Sequence, residues 1–285
     1  MSYKKILLFI IMILVIPTKA SPTAIGSSDW VVTEMANFRL ISEINNIGDS
    51  NKVLLGLEFE LKDGWKIYWR NPGDAGYPPE INFSNNEDLS EIKWFWPAPK
   101  RFIFEDMQNF GYEDRVIFPI TAILKNPKKP LVLQANIKAL ACRDICVPID
   151  GSVNLTIPVG NPVKTDHAAS IYSFKNRVPT KTTWPGFKIL SLGAIKNSVL
   201  IKVKSKHPLF KPDVFIESEN AFRFGKPEIS ISNNRLNASF ILSNDTPIDT
   251  NLAEIPITIT VVDGKKSIEV RRSIGGKLIT KPVQS

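Results

Sequence analysis

The chain has 285 residues, of which 43% are hydrophobic, 22% charged and 9% aromatic, with 21 prolines, 15 glycines and two cysteines. That composition excludes a disordered chain, a collagen-like repeat and a cysteine-dense mini-scaffold, and at about 150 residues per domain the length points to two domains. The formal charge of +8 would suit a polyanionic partner if the basic residues were gathered on one surface.

Residues 1–20 read as a cleaved signal peptide. Lys4 and Lys5 precede an apolar run from Ile6 to Ile16, and Thr18-Lys19-Ala20 supplies small residues at the cut. This is the pattern of a secretory leader; a membrane anchor would need about 20 apolar residues. Losing Lys4, Lys5 and Lys19 lowers the charge from +8 to +5. The remaining basic pairs, such as Lys128-Lys129 and Arg271-Arg272, are scattered. Scattered charge and export together exclude a nucleic-acid partner from the expected functions.

After the leader the hydrophobic period is two. Leu55, Leu57, Phe59 and Leu61 alternate with Gly56, Glu58 and Glu60, and Leu236, Ala238, Phe240 and Leu242 alternate in the same way. Such alternation predicts strands with one face on a core and one toward solvent. Strands are expected near 36–46, 52–61, 64–70, 91–96, 115–124, 131–141 and 151–157, then about seven more from Phe187 to Ile279. Turn signals such as Asn71-Pro72-Gly73-Asp74 and Asp263-Gly264 separate them. No later segment carries a sustained helical stripe. The expected fold is all-β: two tandem immunoglobulin-like β-sandwiches, at 21–162 and 187–285, joined by a linker at 163–186.

Both cysteines fall in Ala141-Cys142-Arg143-Asp144-Ile145-Cys146-Val147-Pro148. In an exported protein they tend to form a disulfide. As a passive staple it would contribute little, since closing a loop of five residues is worth about 2 kcal/mol against about 4.3 for one of 60. Alternation along Leu131 to Ala141 places Cys142 at a strand end, pointing away from the core. Arg143 favours a neighbouring thiolate and Asp144 opposes it. The residues alone leave three readings open: redox exchange, a passive bridge and metal binding. Two thiols with only His167 and His207 to add are short of a zinc site, whereas Cu(I) accepts two thiolates, with Met107 as a further soft ligand. No nucleophile–histidine–acid grouping or phosphate loop is present, and no cofactor is expected.

Cys142-x-x-x-Cys146-x-Pro148 at a strand end is accompanied upstream by three further blocks: Lys62 to Gly76, Trp96-Pro97-Ala98-Pro99, and Phe110-Gly111-Tyr112 through Pro119. On these motifs, in this order, the sequence resembles the family of DsbD amino-terminal domains, in its ScsB-like branch. The likeness implies two immunoglobulin-like domains in series and thiol:disulfide interchange through Cys142 and Cys146, with Cys146 exchanging with partners and Cys142 resolving. It implies an aromatic cap in the segment Phe104 to Phe110, with Phe110 or Phe104 as the cap and Asp106 beside it, and a tyrosine, Tyr68, next to the cysteines. Trp65 and Trp69 are expected to be core. The resemblance also implies a periplasmic location in a Gram-negative-type bacterium, action as a monomer and periplasmic thiol oxidoreductases as partners, in cytochrome c maturation or disulfide isomerisation. Copper tolerance, or a non-catalytic binding module, is the alternative. The family's membrane domain and C-x-x-C thioredoxin-like domain do not follow in this sequence. The electron source is therefore expected to be a membrane transporter with a thioredoxin-like domain on a separate chain.

Overall fold

The computed structural model describes residues 25–84, 87–104, 106–181, 187–195, 198–218, 223–244 and 256–274. The expected signal peptide lies outside them. In chain order the first unit contains β1 (Val31–Val32), β2 (Ala36–Ser42), β3 (Lys52–Leu61), β4 (Lys66–Gly73), β5 (Glu80–Ser84), β6 (Leu89–Trp94), β7 (Lys100–Phe104), β8 (Met107–Glu113), β9 (Arg115–Leu124), β10 (Leu131–Cys142) and β11 (Cys146–Ile157). A helix, α1 (Ala168–Lys175), follows. The second unit contains β12 (Phe187–Ile195), β13 (Ser198–Ser205), β14 (Pro212–Ser218), β15 (Glu228–Ile231), β16 (Asn237–Ser243), β17 (Pro256–Asp263) and β18 (Lys266–Ser273).

Among the described residues these strands build four antiparallel sheets. Sheet order β1-β2-β3-β9-β6 faces β11-β10-β4-β8-β7, with β5 also paired to β10. Sheet order β12-β13-β16-β15 faces β14-β17-β18. The all-β expectation therefore holds, as two sandwiches. In the first, the period-two residues Leu55, Leu57 and Phe59 meet Leu133, Ala135 and Ile137 in one core, centred on Phe38, Phe59 and Phe118. Phe59 and Phe118 cross edge to face with centroids 6.0 Å apart, an arrangement aromatic quadrupoles favour.

Two features depart from the alternation reading. First, β3 has no solvent face: Val53 through Phe59 are all buried. The side expected to be wet is covered by α1, which lies in the stretch read as a linker without a helix. Gly56 makes room for it, since a Cβ there would stand 2.6 Å from Ile117 and 3.3 Å from Ile171 of the helix. Glu58, on the same covered face, is fully buried and held by Arg39 at 2.8 Å and by Arg115, whose Nε donates at 2.7 Å. A carboxylate buried there is tolerated because both of its oxygens are paired with cations.

Second, the two sandwiches share a core. On β14, Val214 and Ile216 point into the second core while Phe215, between them, belongs to the first. Its ring meets Trp69 at 5.8 Å and Phe110 at 4.9 Å. Arg70 of β4 binds Glu217 and Glu269, and Arg101 of β7 binds Asp213 and the carbonyl of Val214. The outer face of sheet β14-β17-β18 is thus packed on strands β4, β7 and β8.

Candidate functional site

Strands β10 and β11 pair residue for residue from Leu131↔Ile157 to Cys142↔Cys146. The cysteines therefore face each other on the last rung before the turn Arg143-Asp144-Ile145, where the Arg143 N–H donates to the Ile145 carbonyl at 3.0 Å. They form a disulfide with Cα atoms 4.1 Å apart, the close spacing of a non-hydrogen-bonded antiparallel pair. Cys142 lies on the outer face of the sheet, as alternation predicts, yet it is only 9% exposed. Cys146 is exposed.

Tyr68 accounts for the difference. Cys142 pairs with Lys66 of β4, and Tyr68 stands two residues further along the same face. Its hydroxyl donates to Cys142 Sγ at 2.9 Å and lies 3.7 Å from Cys146 Sγ. Tyr68 is itself 5% exposed, because the loop after β4 lies across its ring. Gly76 makes the contact: its φ is +95°, and a Cβ there would fall 2.2 Å from the ring's Cζ. Burial pushes the Tyr68 phenol above its ordinary pKa, so it keeps its proton and remains a donor.

The charges near the pair are spent on each other. Arg143 and Asp144 form an exposed ion pair at 3.1 Å, and the Arg143 guanidinium also lies over Trp65 at 5.2 Å. Lys66 donates to the Gly64 carbonyl at 3.0 Å and stands 5.3 Å from the Phe102 ring. Beside Cys146, Ile145 is 68% exposed and forms an apolar shoulder.

The other residues singled out in the sequence scatter. Gly111 pairs with Tyr68 and so shares the cysteine face, which turns its neighbour Phe110 to the opposite side. There Phe110 is buried against Phe215 and under Arg101. Phe104 is on the cysteine face but pairs with Met107 at the tip of the β7–β8 hairpin, half exposed, with Asp106 exposed beside it. The cover over Cys142 comes instead from Tyr68 and the Gly76 loop. Trp69 is fully buried and Trp65 packs against the core. His167 begins α1 and His207 follows β13, on different sandwiches. Gly76, Lys66 and Ile145 were not singled out. Only Gly76 carried a signal, as a second glycine in a turn already holding Gly73.

The arrangement distinguishes the two cysteines: Cys146 is exposed, where an incoming thiolate would meet it, and a Cys142 thiolate released there would accept the Tyr68 hydrogen bond. Tyr68→Phe is expected to slow reduction of the disulfide by dithiothreitol about tenfold, the scale of one hydrogen bond to a charged group. A stopped-flow rate equal to that of the parent protein would remove Tyr68 from the chemistry.

Fold and site together define a β-sandwich with a redox-capable cysteine pair at a hairpin end. Comparison with known proteins agrees. Residues 37–158 match the family described as "Thiol:disulfide interchange protein DsbD, N-terminal", so this unit is a DsbD N-terminal-like domain. Residues 177–277 match a domain of unknown function, DUF8393. The crystal structure of the N-terminal periplasmic domain of ScsB from Proteus mirabilis superposes with a TM-score of 0.71 at 21% identity, covering 89% of this chain and 100% of that one. That likeness establishes the two-sandwich fold. The C-terminal domain of the Streptococcus agalactiae AgI/II polypeptide BspA gives a TM-score of 0.17 at 7% identity over 80% of this chain and 94% of that one, too low to inform the fold. No curated protein matches the sequence.

Proposed function

We propose that the protein is a periplasmic thiol–disulfide exchange protein that relays electrons through Cys142 and Cys146. The observation that carries this reading is the asymmetry of the pair: Cys146 is exposed, and Cys142 is buried with its sulfur under a hydroxyl that would stabilise it as a leaving group. The match of residues 37–158 to an interchange domain family supports it, and the solved structure it resembles is described as periplasmic. Among the described residues no helix is long and apolar enough to cross a membrane.

In the uptake step a dithiol of a membrane transporter's thioredoxin-like domain attacks Cys146 Sγ as a thiolate. The Cys142–Cys146 bond breaks, a mixed disulfide forms and Cys142 takes up a proton. The transporter's second thiolate then attacks its own mixed-disulfide sulfur and releases Cys146. Two electrons have reached the pair, and the transporter domain is left as a disulfide. In the delivery step the Cys146 thiolate attacks the disulfide of a periplasmic oxidoreductase, and Cys142 resolves the intermediate. The receivers are oxidoreductases of cytochrome c maturation or disulfide isomerisation.

A redox titration tests the reading against a passive bridge. Equilibration with glutathione and dithiothreitol buffers, followed by thiol alkylation and mass measurement, is expected to give a potential above about −300 mV. A value well below that marks a structural disulfide and ends the relay reading.

A further inference from the structure

The second sandwich falls in a domain class of unknown function, and its contacts assign it a task. Strand β4 carries Tyr68, and its support in the sheet is thin. It pairs with β10 at a single position, Cys142↔Lys66, and its ladder with β8 shifts register between Tyr68 and Gly73. The regular ladder therefore gives out at the residue that binds Cys142. Two of the next three residues, Arg70 and Asn71, are held from outside. Arg70 donates from Nε to Glu217 at 2.9 Å and from Nη2 to Glu217 at 2.5 Å, with a further bond to Glu269. Asn71 donates to the Ile216 carbonyl at 3.4 Å. The segment then turns into the loop whose Gly76 presses on the Tyr68 ring. That loop is anchored through Asp74 to the Gln108 N–H at 2.8 Å, and the Gln108 side chain donates to the carbonyl of Phe224 in the second sandwich.

We propose that the second sandwich is a positioning domain for the redox pair: its carboxylates Glu217 and Glu269 grip Arg70, and Arg70 holds Tyr68 on Cys142. A bidentate arginine–carboxylate contact fixes orientation as well as distance, which the β4–β8 ladder does not supply where its register shifts between Tyr68 and Gly73. Arg70 is 28% and Glu269 15% exposed in their side chains, so the grip is largely shielded from solvent and salt. Tyr68 touches the reacting sulfur; Arg70, Glu217 and Glu269 act through it. This role rests on the exchange reading above.

A double-mutant cycle tests it. The variants are E217Q/E269Q, Y68F and the triple combination, each assayed by the rate of disulfide reduction with dithiothreitol and by the equilibrium potential against glutathione. E217Q/E269Q is expected to slow reduction about fivefold and Y68F about tenfold, with the triple variant no slower than Y68F, because residues acting in series do not add. Additive slowing, or a folded E217Q/E269Q variant with unchanged rate and potential, overturns the positioning role. If circular dichroism shows that the double variant has lost its fold, E269Q alone serves. It leaves both bonds from Arg70 to Glu217, and a smaller shift of the same sign is expected, again absent in the Y68F background. A parent protein whose disulfide dithiothreitol does not reduce would sink the exchange reading itself. A reducible pair indifferent to these variants would sink only the positioning role.

Discussion

Cys146→Ser abolishes exchange, whereas Cys142→Ser converts the protein into a trap for its partners: this is the expected pair of results. In Cys142→Ser the remaining thiol is the exposed one, it attacks a partner disulfide, and no second thiol is present to resolve the product. The mixed disulfide therefore accumulates and is visible on a non-reducing gel. In Cys146→Ser the remaining thiol is 9% exposed, with the Tyr68 hydroxyl 2.9 Å away, and a folded partner does not reach it. Either substitution removes the short-loop disulfide, worth about 2 kcal/mol, so both variants remain folded and the contrast reports reactivity. The reverse pattern, with a trap in Cys146→Ser alone, would exchange the two roles and remove the argument from burial.

How far the sequence foretold this site varies with how local each signal is. The first arm of the long hairpin was legible because β10 obeys strict alternation over Leu131 to Ala141, but its second arm was expected only from 151, whereas β11 starts at Cys146. The cysteine pair was legible from spacing, and Tyr68 from the resemblance. The β7–β8 hairpin was not. Phe110 and Gln108 are buried by residues more than a hundred positions away, and nothing local distinguishes such an aromatic from a mobile cap. The helix was missed for a related reason. Eight residues give only three buried positions, Ala168, Ile171 and Phe174, too few for a periodic stripe to stand out. Its effect is nonetheless large, since it covers the face of β3 whose Gly56 and Glu58 read as solvent-facing. Most of all, the interface was invisible: Arg70, Glu217 and Glu269 read as ordinary surface charge until the fold brings them together.

That interface bears on stability as well as chemistry. Phe215→Ala is expected to destabilise the protein by about 3–5 kcal/mol, the range for truncating a buried phenylalanine. Phe215 is 1% exposed and contributes its ring to the first sandwich from a strand of the second. Trp69 and Phe110 both meet it edge on, and the Arg101 guanidinium lies 4.9 Å from its centroid. Truncation leaves a void between the sandwiches that neither can close by repacking alone. It also opens a path for water toward Trp69, whose buried Nε1 has no hydrogen-bond partner. The consequence differs from that of an equal truncation inside one sandwich. Phe240→Ala, fully buried in the second core, removes a similar area but leaves the shared core intact, so its loss falls on the second sandwich. Phe215→Ala weakens the coupling itself, and urea unfolding followed by tryptophan fluorescence and circular dichroism is expected to separate into two transitions where the parent shows one. A single transition with an unchanged midpoint would show that the ring contributes nothing to joining the two sandwiches.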